Sequence, residues 1–121
     1  MNPAPELTVV VPSHNERGNV ARLMERLSVA LHGMPFEVLF VDDLSPDGTA
    51  AEVRRVAAAD PRCRLISRCS RGLSGAALEG MLSAQAATVA VIDADLQHDE
   101  SLLPRMKAKL DSEGADLVVV T

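Results

Sequence analysis

The chain has 121 residues, of which 47% are hydrophobic, so it can bury the core of one ordinary domain and is not expected to be disordered. Its formal net charge of −5 and pI near 5.1 argue against a nucleic-acid-binding protein, which would need a basic surface for phosphates. The amino terminus carries no basic region before its apolar run, and no run approaches the roughly 18 apolar residues of a membrane span. We therefore expect a soluble, cytoplasmic protein.

Strand and helix patterns alternate from the amino terminus. Residues 7–11 (LTVVV) form a β-branched run that predicts a strand ended by Pro12. Apolar residues then recur at helical spacing, and Gly33 and Pro35 close that helix. The apolar stripe of the helix comprises Val20, Leu23, Met24, Leu27 and Leu31.

A second buried strand is predicted at residues 36–41 (FEVLFV), and it runs into Asp42 and Asp43. The following SPDGT loop has turn chemistry. Thr49 and Glu52 fit a capping box, which predicts the start of a second helix.

The second half of the chain repeats the alternation. Residues 63–66 predict a third strand, an Ala-rich helix follows over 73–86, and 88–92 predict a fourth strand. A fourth helix over 101–112 and a fifth strand over 117–120 complete the series. The order βαβαβαβαβ with apolar strands predicts an α/β fold, a mostly parallel sheet with helices on both faces.

We expect one domain over residues 1–121 and, because the chain stops on a strand, the front portion of a longer protein. The two cysteines, Cys63 and Cys69, have no partner pair and no histidines at zinc spacing. Two free thiols in a reducing compartment are therefore expected.

Polar side chains follow three of the predicted strands. The three clusters are residues 12–17 (PSHNER), 42–43 (DD) and 93–98 (DADLQH). Parallel topology brings these carboxyl ends of strands to one edge of the sheet, where α/β proteins bind ligands. Gathering carboxylates costs stability unless a cation or hydrogen-bond donors offset the repulsion, so the clusters themselves indicate a function.

Each cluster also has a purely structural interpretation. Ser13 and Glu16 fit a capping box, and the second cluster fits a turn whose acids cap the next helix. Asp93 and Asp95 could also cap a helix, although Asp99 is better placed for that role. A cap needs one acid, whereas this edge carries several.

The first strand is followed by no G-x-G-x-x-G, and the chain contains no P-loop signature, so a phosphate group must be bound in another way. Aspartate carboxylates and the carboxamide of Gln97 suit Mg²⁺ or Mn²⁺, which would neutralise a departing diphosphate. The acids on the neighbouring strand ends can accept hydrogen bonds from a base and a ribose. The pattern therefore favours transfer from a nucleoside-diphosphate donor.

Four sequence blocks carry a family resemblance. VVVPSHNERGNV, FVDDLSPDGT, RGLSGAALEGMLSA and VIDADLQH, in this order and at these intervals, resemble the GT-A glycosyltransferases of family 2, and most closely the dolichol- or polyprenol-phosphate mannosyltransferase branch. The resemblance implies a Rossmann-like GT-A nucleotide-binding half. It implies that the nucleotide is bound by Pro12, His14, Glu16, Val41, Asp43, Asp93 and Ala94. It also implies metal ligands at Asp93, Asp95 and Gln97, with Asp95 as the catalytic residue and Asp42 as a second-rank candidate beside the pocket.

The activity implied by the resemblance is an inverting, metal-dependent transfer of a sugar from GDP-mannose or a UDP-sugar to a polyprenyl phosphate at a membrane surface. The metal would be Mg²⁺ or Mn²⁺. No catalytic base is assigned, because a lipid phosphate is already anionic near neutral pH. Membrane association would come through C-terminal parts beyond Thr121, and the oligomeric state is left open.

Two other functions compete with this one. A nucleotide-binding module without turnover is the main alternative, because the acceptor half of the site would lie beyond this chain. A receiver-like signalling domain is disfavoured, since its acidic pair would follow the first strand, and here the pair follows the second.

The predictions for two arginines and three histidines are less specific. Arg68 and Arg71 could help bind a diphosphate, but solvated loop charge is the favoured interpretation for both. His14 stands where relatives of the branch commonly carry an aromatic residue, so the base of the nucleotide is left open. His32 and His98 are expected at the surface.

Overall fold

The computed structural model of the protein describes residues 4–13, 17–43, 46–68, 73–92 and 102–113. Within these ranges strands and α-helices alternate along the chain. The strands are β1 (Leu7–Ser13), β2 (Phe36–Asp43), β3 (Cys63–Arg68) and β4 (Val89–Val91), and the helices are α1 (Val20–Ala30), α2 (Thr49–Ala59), α3 (Leu73–Ser83) and α4 (Leu103–Glu113). The predicted alternation is confirmed in this part of the chain, whereas the predicted fifth strand at 117–120 lies outside the described residues.

The four strands form one parallel sheet in the order β3-β2-β1-β4. The chain moves from β1 through β2 to β3 in one direction and then crosses back to β4 on the other side of β1. Because parallel crossovers are right-handed, this reversal puts α1 and α2 on one face of the sheet and α3 on the other. The predicted α/β fold with helices on both faces is confirmed.

Both faces of the sheet are buried along the central strands β1 and β2, which is why these strands are apolar runs and not alternating ones. On the first face, Val9 and Phe40 pack against α1, α2 and α4. On the second face, Val10 and Val41 pack against Ala76 of α3. Alternate residues of each strand therefore serve two separate cores.

Helix α1 confirms its predicted apolar stripe. It ends at Ala30, and Gly33 follows in the left-handed region with φ of 84°. The five stripe residues that are buried are Val20, Leu23, Met24, Leu27 and Leu31. His32, just after the helix, is exposed, as expected.

Helix α3 lies unusually close to the sheet because of Gly80. A Cβ at this position would overlap with Cγ1 of Val10 and would lie 3.2 Å from Cγ2 of Val41. The helix ends at Ser83 and not at the predicted residue 86. The reason is that side chains of the sheet take the next donors: Gln85 N–H donates to Glu37, and Ala86 N–H donates to a threonine of β1.

The predicted capping box of α2 is wrong. The residue before the helix is Gly48, whose φ is 90°, and Thr49 is already the first helical residue. The N–H of Thr49 donates to Oδ1 of Asp47 at 3.0 Å, while Glu52 pairs with Arg55 one turn along the helix. The cap therefore comes from an aspartate two residues upstream of the predicted threonine.

The alternative of a capping box at Ser13 and Glu16 is not supported at Ser13, while Glu16 lies outside the described residues. Ser13 belongs to β1, and its Oγ donates to Val11 O at 3.1 Å. A 3-10 turn at Arg17–Asn19 precedes α1, which begins only at Val20. Ser13 is therefore too far from the helix to cap it.

Cys63 is a free, buried thiol at the start of β3, as predicted. Burial, with a smaller contribution from the charge of Asp60, raises the pKa of this thiol to about 12. Cys69 lies outside the described residues. Across the described ranges, none of the helices has the length and apolar character that a membrane crossing requires.

Candidate functional site

The strand order reverses between β1 and β4, and such a reversal marks the ligand site of open α/β sheets. We call the edge at which β1, β2, β3 and β4 end, at Ser13, Asp43, Arg68 and Val91, the carboxyl edge. The opposite edge, where the strands begin, is the amino edge. The reversal predicts a ligand crevice at the carboxyl edge between β1 and β4.

Pro12 determines where β1 and β4 stop pairing. The N–H of Thr8 and the C=O of Val10 both bond to the β4 side, so the main-chain groups of even-numbered β1 residues face β4. Pro12 is the next residue in that series and has no N–H to donate. The pairing with β4 accordingly stops at Val10, while the pairing with β2 continues to Ser13. Pro12 thus ends the main-chain hydrogen bonding between β1 and β4 at the carboxyl edge, where the crevice is predicted.

On the other side of β1, two buried polar residues lie at the carboxyl edge. Ser13 pairs in register with Asp42 of β2. Both are buried, each with 2% of its surface exposed. Asp42 therefore lies inside the protein beside the predicted pocket and is not a solvated turn residue.

The described residues locate only part of the predicted nucleotide pocket. Pro12 and Val41 are register partners at the carboxyl edge, and both are buried. Asp43 is the last residue of β2, where its main chain pairs with Arg68. Their contact with a nucleotide stays a prediction. The predicted site residues that lie outside the described ranges are His14, Glu16, Asp93, Ala94, Asp95 and Gln97.

The loops after β1 and β2 are joined by the carboxylate of Asp47. Its Oδ2 accepts the N–H of Arg17 at 3.2 Å, and its Oδ1 accepts both the N–H and the hydroxyl of Thr49. Partial desolvation raises the pKa of Asp47, but these hydrogen bonds outweigh it and hold the pKa below its usual value. The carboxylate therefore stays ionised at neutral pH and binds two segments of the chain at once.

The sequence indicates Asp47 only as part of the SPDGT turn. An aspartate two residues before a threonine at a helix start is a local signal for this kind of turn. Its second partner, Arg17, lies 30 residues away along the chain, and no local pattern indicates that contact.

Arg68 is not a solvated loop charge, so the favoured interpretation was wrong for this residue. Its side chain is only 13% exposed, and Nε lies 3.1 Å from Oε2 of Glu79 in α3. A Cβ on Gly75 would lie 2.8 Å from its Nη2, so the missing side chain makes room for the guanidinium. Arg68 thus connects the carboxyl end of β3 to α3. Arg71 lies outside the described residues.

The predicted metal ligands directly follow β4. Within the described residues, no group of three or more His, Cys, Asp or Glu side chains could hold a metal ion. Asp93, Asp95 and Gln97 come just after Ile92, whose N–H donates to Val10 O at 3.0 Å. This hydrogen bond places Ile92 beside β1, at the strand-order reversal. Two carboxylates and a carboxamide are hard oxygen donors, which fit Mg²⁺ or Mn²⁺.

One protein family matches almost the whole chain. The family described as Glycosyl transferase family 2 matches residues 8–121, which include most of β1 and every later element. This chain belongs to glycosyltransferase family 2. The resemblance of its four sequence blocks is therefore confirmed.

Curated relatives of this family 2 chain include dolichol-phosphate mannosyltransferases. The one from Pyrococcus furiosus is 33% identical over 115 residues, which cover 94% of this chain and 32% of the relative. The one from Saccharomyces cerevisiae is 36% identical over 105 residues, which cover 84% of this chain and 39% of the relative. The family 2 chain thus spans well under half the length of these two relatives.

Solved structures share the fold. A mannosyltransferase from Pyrobaculum calidifontis, in complex with GDP-Man and Mn²⁺, superposes with a TM-score of 0.72 at 28% identity and covers 91% of this chain and 34% of that one. Glucosyl-3-phosphoglycerate synthase from Mycobacterium tuberculosis gives a TM-score of 0.70 at 20% identity, over 89% of this chain and 40% of that one. The second likeness shows only that this family 2 chain has the same fold.

Proposed function

We propose that this family 2 chain is the donor-binding portion of a glycosyltransferase that moves a sugar from GDP or UDP to a polyprenyl phosphate, with inversion at the anomeric carbon. The observation that carries the proposal is the strand-order reversal at the carboxyl edge, where Pro12 ends the pairing of β1 with β4. It is supported by relatives named dolichol-phosphate mannosyltransferase and by a neighbour in complex with GDP-Man and Mn²⁺.

The nucleotide would bind along the carboxyl ends of β1 and β2. His14 would stack on the base or the sugar, since an imidazole ring offers a flat face. Glu16 and Asp43 would accept hydrogen bonds from the base N–H and ribose hydroxyl groups, because ionised carboxylates are acceptors only. Pro12 and Val41, buried at this edge, would form the floor of the pocket.

The diphosphate would bind beyond β4. Asp93, Asp95 and Gln97 would hold Mg²⁺ or Mn²⁺, and Ala94 would leave room for the phosphates. When bound, the metal supplies positive charge that stabilises the leaving diphosphate. Asp95 is therefore the residue whose loss should affect donor binding and transfer most.

The acceptor would be a polyprenyl phosphate at the cytoplasmic surface of a membrane. Its phosphate oxygen is ionised near neutral pH and can attack the anomeric carbon without a strong base. This chain accordingly needs to supply donor binding and orientation, and no catalytic base is proposed within it.

A thermal-shift panel tests donor binding. GDP and UDP are each added with and without Mn²⁺ to the wild-type chain and to Asp95→Asn. We expect one nucleotide with Mn²⁺ to raise the melting temperature of the wild type, because a ligand that binds only the folded state stabilises it. The shift should vanish in Asp95→Asn.

The matched control is Asp111→Asn on α4, where an exposed aspartate pairs with Lys107. This variant removes the same charge away from the proposed site and should keep the full shift. The absence of any shift with either nucleotide would contradict the proposal for this chain. A nucleotide shift without sugar transfer to a polyprenyl phosphate would instead support a binding module without turnover.

A further inference from the structure

Asp47 connects the two loops that border the proposed nucleotide pocket. Its Oδ2 accepts the N–H of Arg17, which follows the β1 loop, and its Oδ1 accepts the N–H and hydroxyl of Thr49, which begins α2. Thr49 is fully buried, so the contact with it is anchored in the core. One carboxylate thus fixes the β1 loop to the first turn of α2.

The spacing of these contacts matters because both loops are short. The chain leaves β1 at Ser13 and is held again at Arg17, after three intervening residues. It leaves β2 at Asp43 and is held again at Asp47, also after three intervening residues. Asp47 therefore fixes Arg17 relative to the first turn of α2. His14 and Glu16 belong to the first span.

We propose that Asp47 is a positioning residue for the nucleotide, holding the β1 and β2 loops at a fixed separation without contacting the ligand. The inference rests on the proposed function, because it needs a nucleotide at the carboxyl edge. Gly48 supports this inference. Its left-handed φ of 90° turns the chain there, and a Cβ on this residue would lie 3.7 Å from Cδ of Arg17.

A merely structural role for Asp47 must be separated from a positioning role, and α2 offers a matched control at its other end. Oδ1 of Asp60 accepts the N–H of Arg62, two residues on, at 3.0 Å, just as Asp47 does with Thr49. The side chain of Arg62 also pairs with Asp60. This turn lies at the amino edge, away from the proposed pocket.

A second variant separates the two contacts of Asp47. In Asp47→Asn, the amide oxygen can still accept from Thr49, but the amide nitrogen cannot accept the N–H of Arg17. This variant keeps the turn before α2 and loses the connection to the β1 loop. It also protects the test against a failure of Asp47→Ala to fold.

The experiment measures the dissociation constants of GDP and UDP in the presence of Mn²⁺ by calorimetry, together with melting temperatures. Asp47→Ala and Asp60→Ala should lower the melting temperature by similar amounts. Only the Asp47 variants should weaken nucleotide binding, by about tenfold, the factor expected from one lost hydrogen bond to a charged group. Asp47→Asn should show this weakening with a smaller loss of melting temperature.

Two contrary results can be told apart. If the wild type binds a nucleotide and the Asp47 variants bind it as tightly as Asp60→Ala does, the positioning role is contradicted while the proposed function stands. If the wild type binds neither nucleotide, the proposed function fails, and the positioning role fails with it.

Discussion

The two edges of the same sheet are built in opposite ways. At the amino edge, Oε2 of the buried Glu37 accepts the hydroxyl of Thr8 and the N–H of Gln85, both at 2.7 Å. Its Oε1 lies 3.1 Å from Nε of Arg64, without hydrogen-bond geometry. At the carboxyl edge, Pro12 has no main-chain donor, and within the described residues the pairing of β1 with β4 ends at Val10. One edge is held by polar side chains, while the other is the proposed place of ligand binding.

A second network strengthens the amino edge. The guanidinium of Arg62 binds Asp60, donates to Ser28 of α1 at 2.9 Å and lies 4.6 Å from the ring centre of Phe36. These contacts join α1, β2 and the start of β3. Among the described residues, these networks stabilise the amino edge, whereas the carboxyl edge is the proposed place of ligand binding. Damage to the two edges should therefore have different effects on ligand affinity.

Glu37→Ala should give the largest loss of stability. It leaves the hydroxyl of Thr8 and the N–H of Gln85 without their acceptor, and the buried donor of Thr8 alone costs about 1–3 kcal/mol when unpaired. The free energy of unfolding, measured with urea, should fall accordingly. Nucleotide affinity of the remaining folded protein should stay unchanged, because the damage is at the amino edge. Glu37→Gln keeps an acceptor oxygen, so its free energy of unfolding should fall less. Equal decreases in the two variants would contradict the role of these hydrogen bonds.

Gly80→Ala should come next, with a loss of about 1–3 kcal/mol for overpacking. Its new Cβ would overlap with Val10, which pairs with the last residue of β4. Since α3 must move away from the sheet near the carboxyl edge, nucleotide affinity should fall along with the free energy of unfolding. Gly18→Ala is the matched control, because among the described residues a Cβ there has no neighbour within 4 Å. Equal stability of the two alanine variants would contradict the close packing of α3.

Acid should weaken both edges by smaller amounts. Hydrogen bonds outweigh desolvation at Asp47, and the Arg62 side chain acts at Asp60, so the pKa of each carboxyl lies below its usual 3.8. A carboxyl with a lowered folded-state pKa stabilises the fold above its unfolded pKa, and this stabilisation is lost as pH falls through the folded value. The free energy of unfolding should therefore drop on going below about pH 4, and less steeply in Asp47→Asn or Asp60→Asn. An unchanged slope in both variants would contradict these assignments.

The sequence predicted the helices and strands better than the contacts between them. Apolar periodicity located α1 and its buried stripe, because that signal is local. Pro12 was predicted to end β1, but it ends only the pairing with β4, and β1 continues beside β2 to Ser13. That distinction depends on which strand lies on each side of β1, and no local pattern encodes the strand order.

Side-chain networks were missed for the same reason. Glu37 stands in the apolar run FEVLFV, where a carboxylate needs a partner, yet its partners lie 29 and 48 residues away in the chain. The contact between Arg17 and Asp47 spans 30 residues. The acidic clusters, in contrast, could be grouped from sequence, since parallel topology alone brings strand ends together. The ligand roles of Asp93, Asp95 and Gln97 stay predictions.

The central claim is that the carboxyl edge, and not the amino edge, binds a divalent metal with a nucleoside diphosphate. Titrating isotope-labelled protein and GDP or UDP with paramagnetic Mn²⁺ tests it directly, because Mn²⁺ broadens the NMR signals of nearby amides. The seven residues of β1 separate the two edges by about 20 Å, which is enough to resolve them. We predict that the amides of Ser13, Val91 and Ile92 broaden first, while those of Leu7 and Cys63 persist. Broadening centred on the amino edge, or none at any strand end, would contradict the account.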